Sequence, residues 1–133
     1  MSKRIVRIAA HGLLKKNSKF LVTKRSKIND YMPGYWDLPG GTVEFGEKVI
    51  SALKREFKEE TNLDIKPGKI LHIYDYLSNN KRHQFQLVIE CFSKNSKIIL
   101  NPKEHSDFRW VSWSELGKLK KIKFLAVLYK EYK

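Results

Sequence analysis

The sequence is poor in cysteine and has no long apolar run. Its single cysteine, Cys91, cannot form a disulfide within the chain, and its apolar neighbours indicate a small core residue. We therefore expect a reducing compartment, the cytoplasm. No apolar run approaches the roughly 20 residues that cross a bilayer. The basic start, MSKRIVRIAAHGLL, lacks the apolar core and the small-residue cleavage site of a secretory signal.

Acidic residues are also scarce, with 14 Asp and Glu against 27 Lys and Arg, which gives a formal net charge of +13. A charge of this size attracts anions and speeds their encounter with the protein. Nucleotides and RNA are both anions that such a charge would attract. A lysine-rich surface that binds neither of them would have the same net charge. Charge alone therefore leaves RNA open as a partner beside a small nucleotide substrate.

The length and the apolar content predict one domain. A chain of 133 residues with 41% hydrophobic residues suits a single core, so the domain is predicted to span residues 1–133. No internal repeat or linker divides it. The sequence does not distinguish a monomer from a homodimer, and nothing in it indicates a membrane partner.

The hydrophobic pattern alternates between strands and helices, which predicts an α/β sandwich. An isolated histidine, His11, falls in the first strand and is expected to be packed or hydrogen-bonded, not a ligand. Trp36 is expected in the core, a short extended piece is predicted at 42–44, and Glu47 is predicted to open the next helix. A turn is predicted at Pro67 and Gly68, and a short helix is predicted to be capped by Ser112. The longer predicted elements are strands at 4–14, 19–24 and 83–92, a strand that follows the turn at Pro67 and Gly68 and ends at 77, and a terminal helix at 124–132.

The most informative stretch is a predicted helix whose centre reads REFKEE. Glu56, Glu59 and Glu60 stand at positions i, i+3 and i+4, so their carboxylates share one edge of the helix. Like charges this close repel one another, and a hard divalent cation such as Mg²⁺ or Mn²⁺ removes the conflict. The alternative is a solvated acidic edge. The basic composition and the Gly40-Gly41 turn before the helix favour the metal site.

This stretch resembles the motif of the Nudix (MutT-like) hydrolase family. That motif is Gly, five residues, Glu, seven residues, then Arg-Glu-apolar-any-Glu-Glu-any-Gly-apolar, and the WDLPGG segment before it is similar to the family lead-in. Asn62 stands where the family has Gly, and we expect it to end the helix in the left-handed conformation. The matching positions are Gly41, Glu47, Arg55, Glu56, Phe57, Glu59, Glu60 and Leu63.

The resemblance implies a Nudix fold, in which a mixed sheet lies between helices. It also implies metal-dependent hydrolysis of a nucleoside diphosphate linked to another moiety, with Mg²⁺ or Mn²⁺ as cofactor. Gly41, Glu47 and Arg55 are expected to position the catalytic glutamates. Residues expected to hold metal are Gly40 through its carbonyl, Glu56, Glu59, Glu60 and, outside the motif, Glu104. Glu56, Glu44 and Glu104 are the candidates for the general base.

The substrate is less well defined by these residues. Arg25, or Lys24, is expected to face the phosphates, while Tyr74 and Tyr76 either line a base pocket or pack in the core. Nucleoside triphosphate pyrophosphohydrolysis is the leading expectation. The alternatives are pyrophosphohydrolysis at the 5′ end of RNA and a non-catalytic nucleic-acid-binding protein of the same fold. Three clustered carboxylates argue against the last, because they would repel a phosphate backbone.

Overall fold

The computed structural model describes residues 3–29 and 31–132. Met1, Ser2, Asp30 and Lys133 therefore lie outside the described part of the predicted domain. The strands are β1 (Ile5–Lys16), β2 (Lys19–Arg25), β3 (Trp36–Asp37), β4 (Gly40–Thr42), β5 (Ile65–Ser78), β6 (Arg82–Ser93) and β7 (His105–Val111). The helices are α1 (Val49–Thr61), α2 (Trp113–Gly117) and α3 (Lys123–Tyr132).

Strand β1 organises the seven-stranded mixed sheet. Ten of its residues, 5–14, pair in parallel with β6, and β5 pairs antiparallel with the outer edge of β6. On its other edge β1 pairs with β4 through Ala9, Ala10 and His11. Only Lys15 and Lys16 pair with β2, which then diverges and pairs with β7 and β3.

Successive side chains of β1 point to opposite sides of the sheet. Both sides carry apolar side chains, and helices cover both of them. On one face, Leu53 and Phe57 of α1 pack with Ala10 and Leu14. The opposite core joins the sheet to α2 and α3. Its members include Leu13, Phe20, Val22, Trp36, Leu116, Leu125 and Leu128. The predicted sandwich and the predicted core positions of Trp36 and Cys91 are confirmed.

The C-terminal end of α1 also agrees with the sequence. Asn62 adopts the left-handed conformation, with φ of 69°, and its backbone N–H donates to the carbonyl of Lys58. Asn tolerates this conformation better than other residues with a side chain, so it replaces Gly here without a change in the cap. Ser112 accepts from the N–H of Glu115 at the start of α2, as predicted for its cap.

Three local predictions are wrong. Pro67 and Gly68 do not form a turn before a strand, because β5 already begins at Ile65 and accommodates them as an irregularity in its pairing with β6. The extended piece expected at 42–44 is strand β4, at 40–42. Glu47 does not open the helix, which begins at Val49.

No helix in residues 3–29 and 31–132 is long and apolar enough to cross a membrane.

Candidate active site

The Gly40-Gly41 strand lies directly against the acidic edge of α1. The N–H of Gly40 donates to Oε2 of Glu60 at 2.8 Å. Gly40 has φ of 151°, and a Cβ there would collide with the carbonyl oxygen of Ala10. A Cβ on Gly41 would lie 2.5 Å from Cδ of Glu56. The two glycines therefore let the chain approach the helix so closely that two carboxylates rest on its backbone.

Arg55 binds several of the surrounding acidic groups at once. Its Nε and Nη2 donate to the two carboxylate oxygens of Glu47 at 2.9 and 3.0 Å, in a bidentate pair. Its Nη1 donates to Oε1 of Glu56 at 2.9 Å and lies 3.5 Å from Oε2 of Glu59. Its Nη2 also approaches the carbonyl of Thr42 at 3.3 Å. One guanidinium thus links the loop before α1 to two glutamates on the helix.

Glu47 serves as the anchor of this arrangement. It lies in the turn before α1, where its Oε1 also accepts from the N–H of Glu44 at 3.1 Å. Hydrogen bonding from Arg55, followed by that from the backbone of Glu44, lowers the pKa of Glu47 to about 2. Glu47 is therefore ionised at neutral pH and keeps the guanidinium in one orientation.

Glu60 is the most buried of the three glutamates on the acidic edge of α1, with 6% of its surface exposed. Burial raises its pKa well above the usual range, and the nearby charges of Asp37, Glu56 and Glu104 add to this effect. His105 lies on its other side, with Nδ1 3.5 Å from Oε1 of Glu60. Burial lowers the pKa of His105 to about 4, so the ring is neutral at pH 7 and supplies no counter-charge.

Glu56 and Glu104 extend the acidic cluster. Burial raises the pKa of Glu56 against the opposing effect of Arg55, and the charges of Glu59 and Glu104 raise it further. Glu104 is exposed, and its carbonyl accepts from the N–H of Ser26 at 2.9 Å, which holds it near the end of β2. Its charge acts on both Glu56 and Glu60, so it faces the same cluster. Glu44 is exposed on the loop.

The donor set fits a hard divalent cation by its chemistry. It consists of carboxylate oxygens that are partly buried, mutually repulsive and short of compensating positive charge. Arg55 holds Glu56 and Glu59 in this arrangement, and in the described ranges no three Asp, Glu, His or Cys side chains form a ready ligand group. The residues therefore fit the ion, although they are not drawn together around a common point.

A cleft of about 570 Å³ opens beside Gly40 and Gly41 on the face of the sheet opposite α1. Its floor consists of side chains that alternate along β1 and β6. Arg7, Ala9 and His11 come from β1, and Arg82, Gln84 and Gln86 come from β6. The cleft therefore runs along the strands from the acidic cluster towards the hairpin that joins β5 to β6.

His11 is held in place within this floor. Its Nδ1–H donates to the carbonyl of Leu38 at 3.1 Å, and Nε2 lies 2.7 Å from the side-chain amide of Gln86. The ring also packs on Phe124, with centroids 4.3 Å apart. The prediction of a packed or hydrogen-bonded histidine is confirmed, and the histidine in turn orients Gln86 in the cleft.

Arg25 reaches the cleft, but the protein already occupies its donors. Nε donates to the carbonyl of Tyr31 at 2.6 Å, Nη1 to Oδ2 of Asp37 at 3.2 Å and Nη2 to Oδ1 of Asn29 at 2.7 Å. Its first role in this structure is to order the loop after β2. Lys24 borders a separate groove on the outside of that loop.

The two tyrosines expected near the base differ in position. Tyr76 lines the cleft, whereas Tyr74 packs against the core beneath α3. The centroids of the two tyrosine rings are 5.6 Å apart. The structure therefore brings Tyr76 to the site and leaves Tyr74 as a support for it.

The sequence reasoning missed several cleft residues. The alternation of polar residues at 82, 84 and 86 with apolar residues at 85, 87 and 89 was a detectable signal that β6 has one polar face. Arg7 carried no such signal, because its place beside Gln84 depends on the pairing of β1 with β6. Tyr31, which also lines the cleft, comes from a loop without a recognisable pattern.

Comparisons with known proteins point to one family. The sequence model of the NUDIX domain matches residues 3–132. The nucleoside triphosphatase NudI of Escherichia fergusonii is 30% identical over 115 residues, which cover 79% of this chain and 81% of that protein. The NudI of Salmonella typhimurium is 32% identical with the same coverage.

Two solved structures share the fold. The MutT protein from Methanosarcina mazei Go1 superposes with a TM-score of 0.84 at 24% identity, covering 98% of this chain and 95% of that one. The MutT NUDIX hydrolase from Burkholderia pseudomallei gives 0.85 at 21% identity, covering 98% and 100%. The predicted mixed sheet between helices is confirmed by both.

Proposed function

The chain belongs to the Nudix hydrolase family, and we propose that it cleaves nucleoside triphosphates between the α- and β-phosphorus atoms. Water adds to phosphorus and the anhydride bond breaks, so the products are a nucleoside monophosphate and pyrophosphate. The relatives named nucleoside triphosphatases support hydrolysis of nucleoside triphosphates in general. We further propose the position of cleavage and the dependence on metal.

One observation carries the proposal. Glu56 and Glu60 rest on the backbone of Gly41 and Gly40, and these same glycines line the cleft. The acidic edge of α1 therefore meets the end of the cleft, where the phosphates of a nucleotide held along the sheet would arrive. Preorganised charge at the reacting phosphate is the main contribution that enzymes make to phosphoryl transfer.

Mg²⁺ or Mn²⁺ is the proposed cofactor. Glu56, Glu59, Glu60 and the carbonyl oxygen of Gly40 would hold it, with Glu104 as a further ligand. When bound, such an ion neutralises phosphate oxygens and lowers the pKa of a coordinated water. The raised pKa values of Glu56 and Glu60 support this assignment, because both carboxylates would ionise more readily beside a cation.

The chain's own groups have distinct tasks in this proposal. Arg55, held by Glu47, positions Glu56 and Glu59. Glu56, Glu44 or Glu104 takes the proton of the attacking water. Tyr76 contacts the nucleoside from the wall of the cleft. Basic side chains near Arg25 bind the phosphate oxygens.

The test is hydrolysis by the Glu59→Gln variant with Mg²⁺ present. Glu59 is exposed on α1, with 57% of its side chain accessible, so the change preserves the fold. We expect activity to fall by about 100-fold or more, because a ligand of the ion is lost. Glu131→Gln is the matched control, since it removes a similarly exposed carboxylate on α3 that does not line the cleft. Wild-type activity in Glu59→Gln would refute the assignment.

A second substrate, the 5′-triphosphate end of RNA, is favoured by Arg7 and Arg82, which line the cleft and form no ion pair with any residue that the structure describes. Release of pyrophosphate from a triphosphorylated RNA, compared with release from the free nucleotide, distinguishes the two. Tight, salt-sensitive binding of RNA without turnover of any nucleotide would instead indicate the non-catalytic alternative.

A further inference from the structure

Two arginines stand together at the end of the cleft away from the acidic cluster. Arg7 of β1 pairs in register with Gln84 of β6, and Arg82 is two residues before Gln84. Side chains two residues apart on a strand share a face, so Arg7 and Arg82 are diagonal neighbours on adjacent strands. Both line the cleft, together with Ser78 and Asn79 of the β5–β6 hairpin.

These arginines differ from the other arginines near the site in their acidic partners, since they have none among residues 3–29 and 31–132. Arg25 is paired with Asp37, and Arg55 is paired with Glu47 and Glu56. Among the residues that the structure describes, no ion pair involves Arg7 or Arg82, although both are exposed and close enough to repel each other. Two like charges on one wall of a cleft are stabilised by an anionic ligand between them.

The separation of the two ends limits what that ligand can be. His11 pairs with Gly40, and Arg7 is four residues earlier on the same strand. At about 3.3 Å per residue, the backbone of Arg7 lies about 13 Å along the strand from the Gly40 end, and Arg82, which pairs with Ile5, lies two residues farther. The floor between them carries Ala9, Gln84 and Gln86, which have no charge. This interval accommodates a nucleoside, so the second anion lies beyond the sugar.

We propose that Arg7 and Arg82 form a subsite for a phosphate on the 3′ side of the substrate nucleoside. The preferred substrate is then a nucleoside 5′-triphosphate that carries a 3′-phosphoryl group. This inference rests on the proposed function, because that function places the 5′-phosphates at the acidic end. A 3′-phosphomonoester on a free nucleotide and the first phosphodiester of an RNA both supply the required chemistry.

Equilibrium binding tests the subsite without any turnover. Wild-type protein in EDTA is titrated with guanosine 3′,5′-bisphosphate and with guanosine 5′-monophosphate. We expect the bisphosphate to bind about tenfold more tightly or better, since charge-assisted hydrogen bonds to a phosphate contribute that much. Arg7→Gln and Arg82→Gln should each reduce this difference, and the double variant should abolish it. Lys69→Gln, an exposed charge loss elsewhere on β5, should leave it intact.

Hydrolysis separates the two sources of the 3′-phosphate. We measure kcat/KM in all variants for three substrates, which are guanosine 5′-triphosphate 3′-monophosphate, the dinucleotide pppGpG and plain GTP. The values for the first two are divided by the value for GTP. A high ratio for both indicates the end of a nucleic acid, and a high ratio for the monophosphate alone indicates a small nucleotide. Either result supports the subsite if the ratio falls towards one in the double arginine variant.

Two results would overturn the inference. In the first, the bisphosphate and the monophosphate bind the wild type equally. In the second, the arginine variants lose affinity for both nucleotides in equal proportion, so that the guanidinium groups bind the 5′-phosphates instead. If the wild type hydrolyses no triphosphate at all, the proposed function fails, whereas the binding measurements still decide whether the subsite exists.

Discussion

The two ends of the cleft use arginine in opposite ways. At one end, a single guanidinium, that of Arg55, lies between three glutamates and a backbone carbonyl. At the other end, Arg7 and Arg82 face each other across adjacent strands without an acidic neighbour among residues 3–29 and 31–132. In the first arrangement the arginine is engaged by acidic groups of the protein that outnumber it, whereas in the second the positive charge is left for a ligand to balance.

This difference distinguishes a positioning residue from a binding residue. An arginine whose donors are all engaged fixes the geometry of its partners, and substituting it disturbs them. An arginine without partners contributes little to the fold and acts on whatever anion enters. Four predictions test how far this distinction holds.

The largest effect is expected for Gly41→Ala. The new methyl group would lie 2.5 Å from Cδ of Glu56, so that carboxylate must move, which a flexible side chain can do at little cost to the fold. A displacement of about 1 Å at a group that acts in catalysis, as proposed for Glu56, lowers turnover by about 100-fold. We expect this loss of kcat with a nearly unchanged Tm.

Gly68→Ala is the matched control for this change. Its methyl group would also meet a flexible carboxylate, that of Glu90, at 2.8 Å, but on the outer part of β5. Activity should be retained. Equal losses of activity in the two variants would show that crowding in general, and not the position of Glu56, explains the result.

Arg55→Lys should have the next largest effect. A lysine cannot bind Glu47 with two parallel hydrogen bonds and reach Glu56 at the same time. We expect kcat to fall by about 10- to 100-fold and the requirement for Mg²⁺ to rise, as is found when partners behind metal ligands are altered. Steady-state kinetics at several Mg²⁺ concentrations measure both. Normal kinetics at limiting Mg²⁺ would remove Arg55 from the positioning role.

Glu60→Gln should lose activity but gain stability when divalent ions are absent. The folded-state pKa of Glu60 is raised, so its ionisation destabilises the fold as pH rises above the unfolded value of about 4.3. In EDTA, the variant should melt at a higher temperature than the wild type at pH 8, and the two should converge near pH 4. Mg²⁺ should narrow the difference at pH 8.

Thermal melts at these pH values, with and without Mg²⁺, decide the point. A variant that is less stable than the wild type at pH 8 in EDTA would mean that the ionised Glu60 is already compensated within the protein. The carboxylates of the acidic end would then not need an added cation to be stable in their ionised form.

The smallest effect is expected on the stability of Arg7→Gln and Arg82→Gln. Neither side chain has an ion-pair partner in the described part of the chain, so the free energy of unfolding should change by no more than about 0.5 kcal/mol. Loss of repulsion between them favours a small increase. Denaturant unfolding of both variants measures it, and a decrease above 1.5 kcal/mol would identify a structural role instead.

Much of the acidic end could be predicted without coordinates. The spacing of Glu56, Glu59 and Glu60 places them on one helix edge whatever the helix packs against. The left-handed cap at Asn62 follows from local backbone preference. The start of the helix could not be predicted as well, because Glu47 binds Arg55 and the turn instead of the helix terminus.

The far end of the cleft could not be predicted, because its residues are distant in the sequence. His11 and Gln86 are separated by 75 residues and meet only through the parallel pairing of β1 with β6. Likewise, Arg25 was expected to bind phosphate, and only its contacts with Asn29, Tyr31 and Asp37 show that its donors are occupied.

The sequence by itself therefore determined the order of the elements and the set of carboxylates on α1, since both depend on interactions between near neighbours along the chain. The tertiary structure decided which arginines are neutralised within the protein and which are left for a ligand. Charge pairing depends on distance in space, and only the sheet brings β1, β6 and the loop after β2 close enough for these pairs to form or to be absent.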